Sequence, residues 1–488
     1  MLDPRNLPTF VPQVVVLIGA FCFAAIVPAT AADWPMWRYD AGRTACSPEK
    51  LTEPLHLQWV RHYEPLRPAF WQVRQERVQF DAGYEPVVWG QTMFVCSSRN
   101  DSVTALETET GRQRWRFYAE GPMRFAPAVW DGKVFCASDD GCLYCLDAAS
   151  GSLRWKHRAA PSGRHVLGNG RLISVWPVRG GPVVADGRVY LAAGVWPFEG
   201  IFVWALDAQT GRPLWGNDGC GSLYLEHPHG AMAFGGPSPQ GSLLIRGGEL
   251  LVPSSRAFPA LFDLQTGKLV DFAFGHGGHG SRPGGWFVAT DPVGELVVDP
   301  QINTEIHDAG QQIIGQAGVR PQPGEVRADR VTIGNQSYRL QEHAAAMISV
   351  GGKTLRFADG FPGVEGDVHT MLAADGKLFV VTRQGSIYCF AGRQTQATTH
   401  PLATQQLQRP DDRWREVAAK LIRRAGAEAG YALVLGMGTG RLAEELSQQS
   451  ALHVIVVEPD AGKADAFRRR LDGAGLYGDR IAVHVQDS

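Results

Sequence analysis

The sequence has no excess of charge of either sign. Its 47 lysines and arginines nearly balance its 49 aspartates and glutamates, which gives a formal net charge of −2. Such a balance leaves no electrostatic footprint for nucleic acid or for an anionic membrane surface. We therefore expect no nucleic-acid partner.

Long apolar runs are also scarce. The run from Val14 to Val27 has only 14 residues, which is too short to span a bilayer comfortably. It follows Arg5 and precedes Ala29-Thr30-Ala31, a small-x-small cleavage pattern. Residues 1–32 are therefore predicted to be a signal peptide. We expect an exported protein of the periplasm or cell envelope, without a membrane span after the signal is removed.

Cysteine is sparse, and its spacing argues against a metal site. Seven cysteines remain after Cys22 leaves with the signal, and an odd number means that at least one stays free or pairs between chains. No second Cys or His pair follows Cys142 and Cys145 at the spacing that zinc requires. A two-residue turn at Asp140-Gly141 would set Cys136 opposite Cys145. This register predicts a cross-strand Cys136–Cys145 disulfide.

Glycine and tryptophan are abundant, with 57 and 14 residues, and they recur in one pattern. A small residue and Leu precede an acid, then Thr-Gly or Ser-Gly, then Trp four residues after the Gly. The glycine fits a turn position with positive φ, and the acid and hydroxyl can bind the turn backbone. Three full copies and one weaker copy occur, at 105–115, 145–155, 205–215 and 261–270.

The repeat spacing predicts four-stranded units. Gly111 and Gly151 are 40 residues apart, which suits a propeller blade. Trp59 ends a repeat without a first half, so we expect the N-terminal strand to complete the last blade. The repeats break at about 274–362 and resume near His369.

The character of the chain changes after residue 410. A helical pattern over 413–424 precedes two apolar strands, Tyr431 to Leu435 and His453 to Val457. A helix lies between these strands, and a second helix precedes a third strand, Ile481 to Val485. The order β-α-β-α-β predicts a parallel sheet.

The tails resemble those of PQQ-like, quinoprotein-type β-propellers, which include an outer-membrane assembly lipoprotein. The resemblance covers about residues 33–390 and implies that each tail Trp docks between blades. Family enzymes that hold pyrroloquinoline quinone usually show an adjacent Cys-Cys pair and a calcium site. This chain has no Cys-Cys dipeptide, so the resemblance implies that this quinone is an unlikely cofactor.

The C-terminal part resembles class I S-adenosylmethionine-dependent methyltransferases. Gly436, Gly438 and Gly440 follow the first strand, and Glu458 ends the second. The resemblance implies that these glycines approach S-adenosylmethionine, that Glu458 accepts the ribose hydroxyls and that Asp487 contacts adenine. Val434 stands where the family commonly has an acid, and the chain holds only half of such a domain, which suggests a fragment. No catalytic residue can be named.

Other candidates favour structural roles. His276 and His279 could bind a metal but lack a nearby third ligand, so no metal site is predicted. Asp139-Asp140 is interpreted as turn chemistry. Four tryptophans are expected in the core because blades bury tryptophan; they are Trp176, Trp196, Trp204 and Trp286.

The sequence predicts a mostly β chain in four parts. A signal peptide spans 1–32 and an incomplete PQQ-like β-propeller of about five four-stranded blades spans 33–390, with an insert at about 274–362. A linker at 391–410 leads to a truncated α/β Rossmann-like unit of methyltransferase type at 411–488.

Three functions follow from this organisation. The first is an S-adenosylmethionine-binding methyltransferase unit fused to a propeller that binds a protein or glycan partner. Export argues against it, because S-adenosylmethionine is made and kept in the cytoplasm. The second is a non-catalytic envelope scaffold with a degenerate Rossmann unit, and the third is a quinone-dependent dehydrogenase.

Overall fold

A computed structural model describes most of the chain. The described residues are 32–69, 78–168, 170–227, 230–255, 257–272, 284–300, 302, 326–327, 329–333, 336–402, 405–408, 410 and 412–485. All of them belong to one compact unit, Ala31–Ser488. The predicted signal peptide before residue 32 lies outside them. No helix among the described residues is long and apolar enough to cross a bilayer.

Seven sheets form the blades of the propeller within the described residues. Blades 1 and 2 are regular four-stranded meanders that contain two of the repeated tails. Blade 1 consists of β3 (Val87–Trp89), β4 (Thr92–Ser97), β5 (Ser102–Glu107) and β6 (Gln113–Tyr118). Blade 2 consists of β7 (Ala128–Trp130), β8 (Lys133–Ala137), β9 (Cys142–Asp147) and β10 (Leu153–Arg158).

Blades 3 and 4 contain the third full tail and the weaker copy. Blade 3 consists of β13 (Val178–Ala185), β14 (Arg188–Ala193), β15 (Phe202–Asp207), β16 (Pro213–Asn217) and the added β19 (Gly241–Ser242). Blade 4 consists of β20 (Leu244–Arg246), β21 (Glu249–Ser254), β22 (Ala257–Asp263) and β23 (Leu269–Asp271). Two hairpins flank blade 3 in the chain: β11 (His165–Gly168) with β12 (Arg171–Ser174), and β17 (Leu223–Glu226) with β18 (Met232–Gly235).

Blades 5 to 7 complete the ring and correct the expected number of about five. Blade 5 consists of β24 (Ala289–Thr290), β25 (Leu296–Val298), β26 (Val326–Arg327), β27 (Arg330–Ile333) and β28 (Gln336–Leu340). Blade 6 consists of β1 (Cys46–Ser47), β29 (Met347–Val350) and β30 (Lys353–Arg356). Blade 7 consists of β2 (His56–His62), β31 (Val368–Ala374), β32 (Lys377–Thr382), β33 (Ser386–Ala391) and β34 (Thr398–His400). The stretch predicted as an insert thus supplies most of two further blades.

The tail tryptophans join neighbouring blades, as the resemblance implied. A Cβ added to Gly151 would lie 2.5 Å from the Trp115 ring, so only glycine lets the ring approach this turn. The same contact pairs Gly111 with Trp59 and Gly211 with Trp155. The Trp115 indole donates to the Ala148 carbonyl oxygen at 3.1 Å. Each of these tryptophans therefore packs on the turn of the next blade, and Trp115 also forms a hydrogen bond to it.

The N-terminal strand completes the last blade, as predicted. β2 pairs antiparallel with β33, with Trp59 opposite Cys389. β34, which lies inside the predicted linker 391–410, pairs parallel with the other edge of β2. Trp59 is 1% exposed, and its indole donates to the Thr108 carbonyl oxygen of blade 1 at 2.9 Å. Because β2 lies between two strands, neither of its edges is free to pair elsewhere.

The C-terminal segment has the predicted β-α-β-α-β order. Its elements are α1 (Arg413–Ala425), β35 (Ala429–Leu435), α2 (Arg441–Gln449), β36 (Ala451–Glu458), α3 (Ala461–Gly473) and β37 (Ile481–Val485). The three strands are parallel, in the order β35-β36-β37. The boundaries predicted at 391 and 411 stay predictions. The segment packs on the propeller through Tyr118, which joins its apolar core.

Candidate functional site

The predicted glycine loop lies between β35 and α2. Gly436, Gly438 and Gly440 all have positive φ, at 76°, 59° and 80°. A Cβ added to Gly436 or Gly438 would meet no atom within 4 Å, whereas one on Gly440 would lie 2.6 Å from the Phe467 ring. The first two glycines therefore border open space, and the third permits close packing on α3.

Glu458 lies beside this loop, and its carboxylate already has partners. It is 5% exposed, and it accepts the backbone N–H of Met437 at 2.9 Å and that of Asp460 at 3.1 Å. A ribose would have to share oxygens that already hold two loops together. The fifth predicted site residue, Asp487, falls outside the described residues. Whether any ligand binds at the loop stays a prediction.

The predicted Cys136–Cys145 disulfide is wrong. Cys136 lies opposite Tyr144, and Cys145 lies opposite Phe135. The turn is one residue longer than expected, with Ala137 opposite Leu143, and such a shift moves side chains to the other face. Every cysteine among the described residues is a free thiol.

Asp140 and Asp139 of this turn differ in role. Asp140 accepts the backbone N–H of Cys142 at 2.9 Å, which is the expected turn chemistry. Asp139 is 1% exposed and binds Arg124 at 2.7 Å and Arg179 at 2.8 Å. Arg124 also forms an ion pair with the buried Asp81 at 2.6 Å. Burial alone would raise the pKa of Asp139, but the two guanidinium groups hold it below its ordinary value.

This buried ion network was missed because its members are far apart in sequence. Asp81 and Arg124 precede blade 2, Asp139 lies between β8 and β9, and Arg179 lies on β13. No short motif signals such a set. Since both acids are already paired with arginine, we assign the network a structural role. The described residues contain no group of three or more His, Cys, Asp or Glu side chains that could hold a metal, and His276 and His279 lie outside them.

A cavity of about 470 Å³ lies between blades 1 and 7 and the C-terminal segment. We call it the arginine pocket, and we define it by four arginines and one tyrosine among its lining residues: Arg61, Arg99, Arg116, Arg469 and Tyr477. Two acids, Glu64 and Asp472, also line it. Among the lining residues the arginines thus outnumber the acids by two, an excess that favours an anionic ligand.

Two of these arginines are held in place by acids. Arg99 binds Glu64 and lies 3.3 Å from Asp479. Arg116 binds Asp472 of α3. Fixed guanidinium groups present planar pairs of donors that match a carboxylate or a phosphate.

Two further polar groups of the pocket, on Arg469 and Tyr477, are placed to interact with a ligand. Arg469 is half exposed and donates to Asp465 through Nε at 2.8 Å and through Nη2 at 3.4 Å, and to the Arg116 carbonyl oxygen. Tyr477 is 3% exposed, and its hydroxyl has no hydrogen-bond partner in the described part of the chain. Burial raises the pKa of Tyr477, so the hydroxyl stays protonated at neutral pH. A buried donor without a partner is costly, and a ligand would satisfy it.

The predicted core tryptophans are mostly buried, with one exception. Trp176 is 7% exposed, and Trp204 and Trp286 pack partly buried on the core. Trp196 is 58% exposed. That prediction is wrong because Trp196 lies just before a short 3₁₀ turn, Pro197–Glu199, that projects between β14 and β15.

Comparison with known proteins identifies relatives of the repeat. The chain is 31% identical over 142 residues to the dehydrogenase subunit of alcohol dehydrogenase (quinone) from Komagataeibacter europaeus, covering 27% of this chain and 18% of the relative. It is 32% identical over 153 residues to serine/threonine-protein kinase AfsK of Streptomyces griseus, covering 30% of this chain and 17% of the relative. The chain thus spans less than a fifth of the length of these relatives.

One solved structure that the chain matches is quinohemoprotein alcohol dehydrogenase from Comamonas testosteroni. It covers 80% of this chain and 85% of its own, with 15% identity and a TM-score of 0.42.

These comparisons correct both cofactor predictions. The family match ends at residue 390, and nothing found extends it to a methyltransferase. S-adenosylmethionine binding and the Rossmann-like methyltransferase unit are therefore unsupported. The expectation that a quinone is unlikely is also wrong, since several relatives are quinone alcohol dehydrogenases.

A match to a protein-family model identifies the family of the chain. The model of the outer membrane protein assembly factor BamB matches residues 58–175 and 127–390, which together exceed half of the chain. The matched residues run from the strand that completes blade 7 to the end of β33. The chain belongs to this family of PQQ-like β-propellers.

Proposed function

We propose that this protein is an exported, quinone-linked oxidoreductase of the propeller type, and that the arginine pocket holds the quinone. The names of the curated relatives support the class of reaction, alcohol oxidation with a quinone. The observation that carries the proposal is the positive pocket beside an unpartnered, buried Tyr477 hydroxyl.

The donors in the pocket suit a carboxylated quinone such as pyrroloquinoline quinone. Arginine binds carboxylates through two parallel N–H bonds, and a protonated tyrosine can donate to a quinone oxygen. Arg61 and Arg469 would bind carboxylates, while Arg116 would be oriented by Asp472. The bound quinone would accept two electrons from an alcohol.

The tyrosines of the pocket keep their protons at neutral pH. Burial is the main cause that raises the pKa of Tyr84, Tyr118 and Tyr477. The Tyr84 hydroxyl donates to the Glu64 carbonyl oxygen at 2.8 Å, and that of Tyr118 donates to Asp472 at 2.7 Å. The hydroxyls of Tyr63 and Tyr477 have no partner among the described residues, so these two tyrosines are left to donate to a ligand and would orient the quinone.

The test combines binding with turnover. Full-length protein is titrated with pyrroloquinoline quinone by calorimetry, with and without Ca²⁺, and then assayed with primary alcohols and an artificial electron acceptor. We expect Arg469→Gln to weaken binding by about 10- to 100-fold, because a charge-assisted hydrogen bond contributes about 1.5–3 kcal/mol.

The matched control is Arg112→Gln. Arg112 lies on the same blade as much of the pocket, is exposed and binds only Glu107 at 2.8 Å. This variant should bind like the wild type. Absence of quinone binding at millimolar concentration, or equal loss in both variants, would contradict the proposal.

A further inference from the structure

Five apolar side chains lie exposed beside blade 3, and we call this group the aromatic platform. It consists of Trp196 (58% exposed), Phe198 (79%), Tyr224 (59%), Met232 (50%) and Phe234 (73%). Single exposed apolar residues are ordinary, but several together mark a binding surface. Four of the five side chains in the platform are aromatic.

The platform is formed by a 3₁₀ turn and by the β17–β18 hairpin, and these two elements are in contact with each other. Trp196 and Phe198 flank the start of the turn Pro197–Glu199, and their rings stack at 6.2 Å with an angle of 28°. A Cβ added to Gly221, just before β17, would lie 2.7 Å from the Pro197 carbonyl oxygen. The turn and the hairpin therefore touch at this glycine.

The register of the hairpin places its aromatic residues together. Tyr224 pairs with Phe234 and Glu226 with Met232, so these four side chains share one face. The Tyr224 and Phe234 rings are 5.2 Å apart. Leu225 and Ala233 occupy the other face. The alternation directs the aromatic rings to solvent instead of to the core.

Carboxylates border the rings and restrict what can bind. Glu226 is exposed on the face of the hairpin that carries Tyr224. Glu199 lies at the end of the turn, with 33% of its side chain exposed and only a long contact to Arg164 at 3.9 Å. Negative charge here opposes an anionic membrane surface. Carboxylates accept hydrogen bonds from hydroxyl groups, whereas the rings offer apolar faces.

We propose that the aromatic platform binds a glycan, with sugar rings stacked on the aromatic faces and their hydroxyls donating to Glu199 and Glu226. A neutral, polyhydroxylated chain matches both features, because each sugar ring has an apolar C–H face and a polar edge. The site is separate from the arginine pocket, so it is independent of the proposed oxidoreductase function.

The experiment is affinity electrophoresis of the full chain in gels that contain laminarin, xylan or glycol chitin, followed by titration of tryptophan fluorescence. At least one of these glycans should retard the wild type. Trp196→Ala and Phe234→Ala should each weaken that binding by at least tenfold. Both side chains are exposed, so the thermal unfolding of the variants should match that of the wild type.

The matched control is Tyr431→Ala, which removes an aromatic side chain that is 45% exposed in the C-terminal segment. It should bind glycans like the wild type. No retardation in any gel, or unchanged binding in both platform variants, would overturn the proposal. Binding to phosphatidylglycerol vesicles that Trp196→Ala abolishes, without glycan binding, would overturn it in favour of a membrane surface. Loss of quinone binding in Arg469→Gln should leave glycan binding intact, so the two proposals fail separately.

Discussion

At the scale of single residues, the turn glycines carry two constraints that can be separated by mutation. Gly151 and Gly132 have nearly the same positive φ, 72° and 70°. A Cβ on Gly151 would meet the Trp115 ring at 2.5 Å, whereas one on Gly132 would meet nothing within 4 Å. Gly132→Ala should lower the free energy of unfolding by about 1–2 kcal/mol, the cost of a left-handed conformation. Gly151→Ala should cost about 1–3 kcal/mol more, because the ring must move.

Chemical denaturation of both variants measures this difference. The Trp115 fluorescence should also change in Gly151→Ala alone, since its ring packs on that turn. Equal destabilisation by the two variants would mean that the Trp115 ring can move without a cost in free energy. The contact between this ring and Gly151 would then not stabilise the packing of neighbouring blades.

Asp101 should make stability depend on pH. It is 1% exposed, and burial raises its pKa from 3.8 to about 6 although Arg171 opposes this rise. Between these values the folded state binds a proton that the unfolded state has lost, so the free energy of unfolding falls as pH rises. At about 1.4 kcal/mol per pH unit, the loss approaches about 3 kcal/mol by pH 7.

Asp101→Asn removes this titration. Asn tolerates the positive φ of 52° at this position, and its amide can still accept from Arg171. The stability of the variant relative to the wild type should therefore rise from pH 4 to pH 7, as measured by urea unfolding at each pH. A constant difference across this range would show that Asp101 keeps an ordinary pKa.

At the scale of elements, strand register determines the state of the cysteines. Because Cys136 and Cys145 project from opposite faces of blade 2, they should not form a disulfide with each other. Burial raises the pKa of Cys142 and Cys145 to about 12, so iodoacetamide should label them only after unfolding. Non-reducing peptide mapping checks this, and a 136–145 crosslink would contradict the observed register.

The sequence could predict those strands and turns whose signals are local. The tails with Gly111, Gly151 and Gly211 gave correct turns and blade contacts because their signals are local. Blades 5 and 6 have no such tail, and their sheets rely on parallel pairs that join distant segments, β25 with β28 and β1 with β29. The pairing of such segments depends on closure of the ring, which no short pattern encodes. The register error at Asp140 has a local cause, because the turn is one residue longer than the predicted two-residue turn.

The edge strand β35 should promote self-association. Tyr431, Leu433 and Leu435 lie on one face of it and are 45%, 62% and 75% exposed. An exposed apolar edge is a template for pairing with another chain. Leu433→Lys should reduce concentration-dependent association in sedimentation velocity while changing the free energy of unfolding by about 0.5 kcal/mol or less.

Val434→Lys provides the contrast on the same strand. Val434 is 9% exposed and packs in the core of the C-terminal segment, so its replacement should destabilise that segment strongly. If Leu433→Lys sediments like the wild type at every concentration, the exposed face of β35 does not pair.

At the scale of the whole molecule, the arginine pocket exists only because the C-terminal segment docks on the propeller. Asp472 of α3 accepts from Asn100 at 2.7 Å and from Tyr118 at 2.7 Å, and it binds Arg116. The C-terminal segment therefore covers the part of blade 1 that carries Arg99 and Arg116, which its sequence did not reveal. Contacts of this kind depend on tertiary packing, so no local pattern in the segment could predict them.

Asp472→Ala should release this docking. It leaves Arg116 partly buried without its acid, a loss of about 2–5 kcal/mol. We expect faster cleavage near residues 401–412 in limited proteolysis and weaker binding of any ligand in the pocket, whereas glycan binding should persist. Asp465→Ala on the same helix is the control, because Asp465 is exposed and binds only Arg469 within α3. If Asp472→Ala is cleaved no faster than Asp465→Ala, apolar contacts such as the Tyr118–Tyr477 pair hold the segment in place without the ion pair.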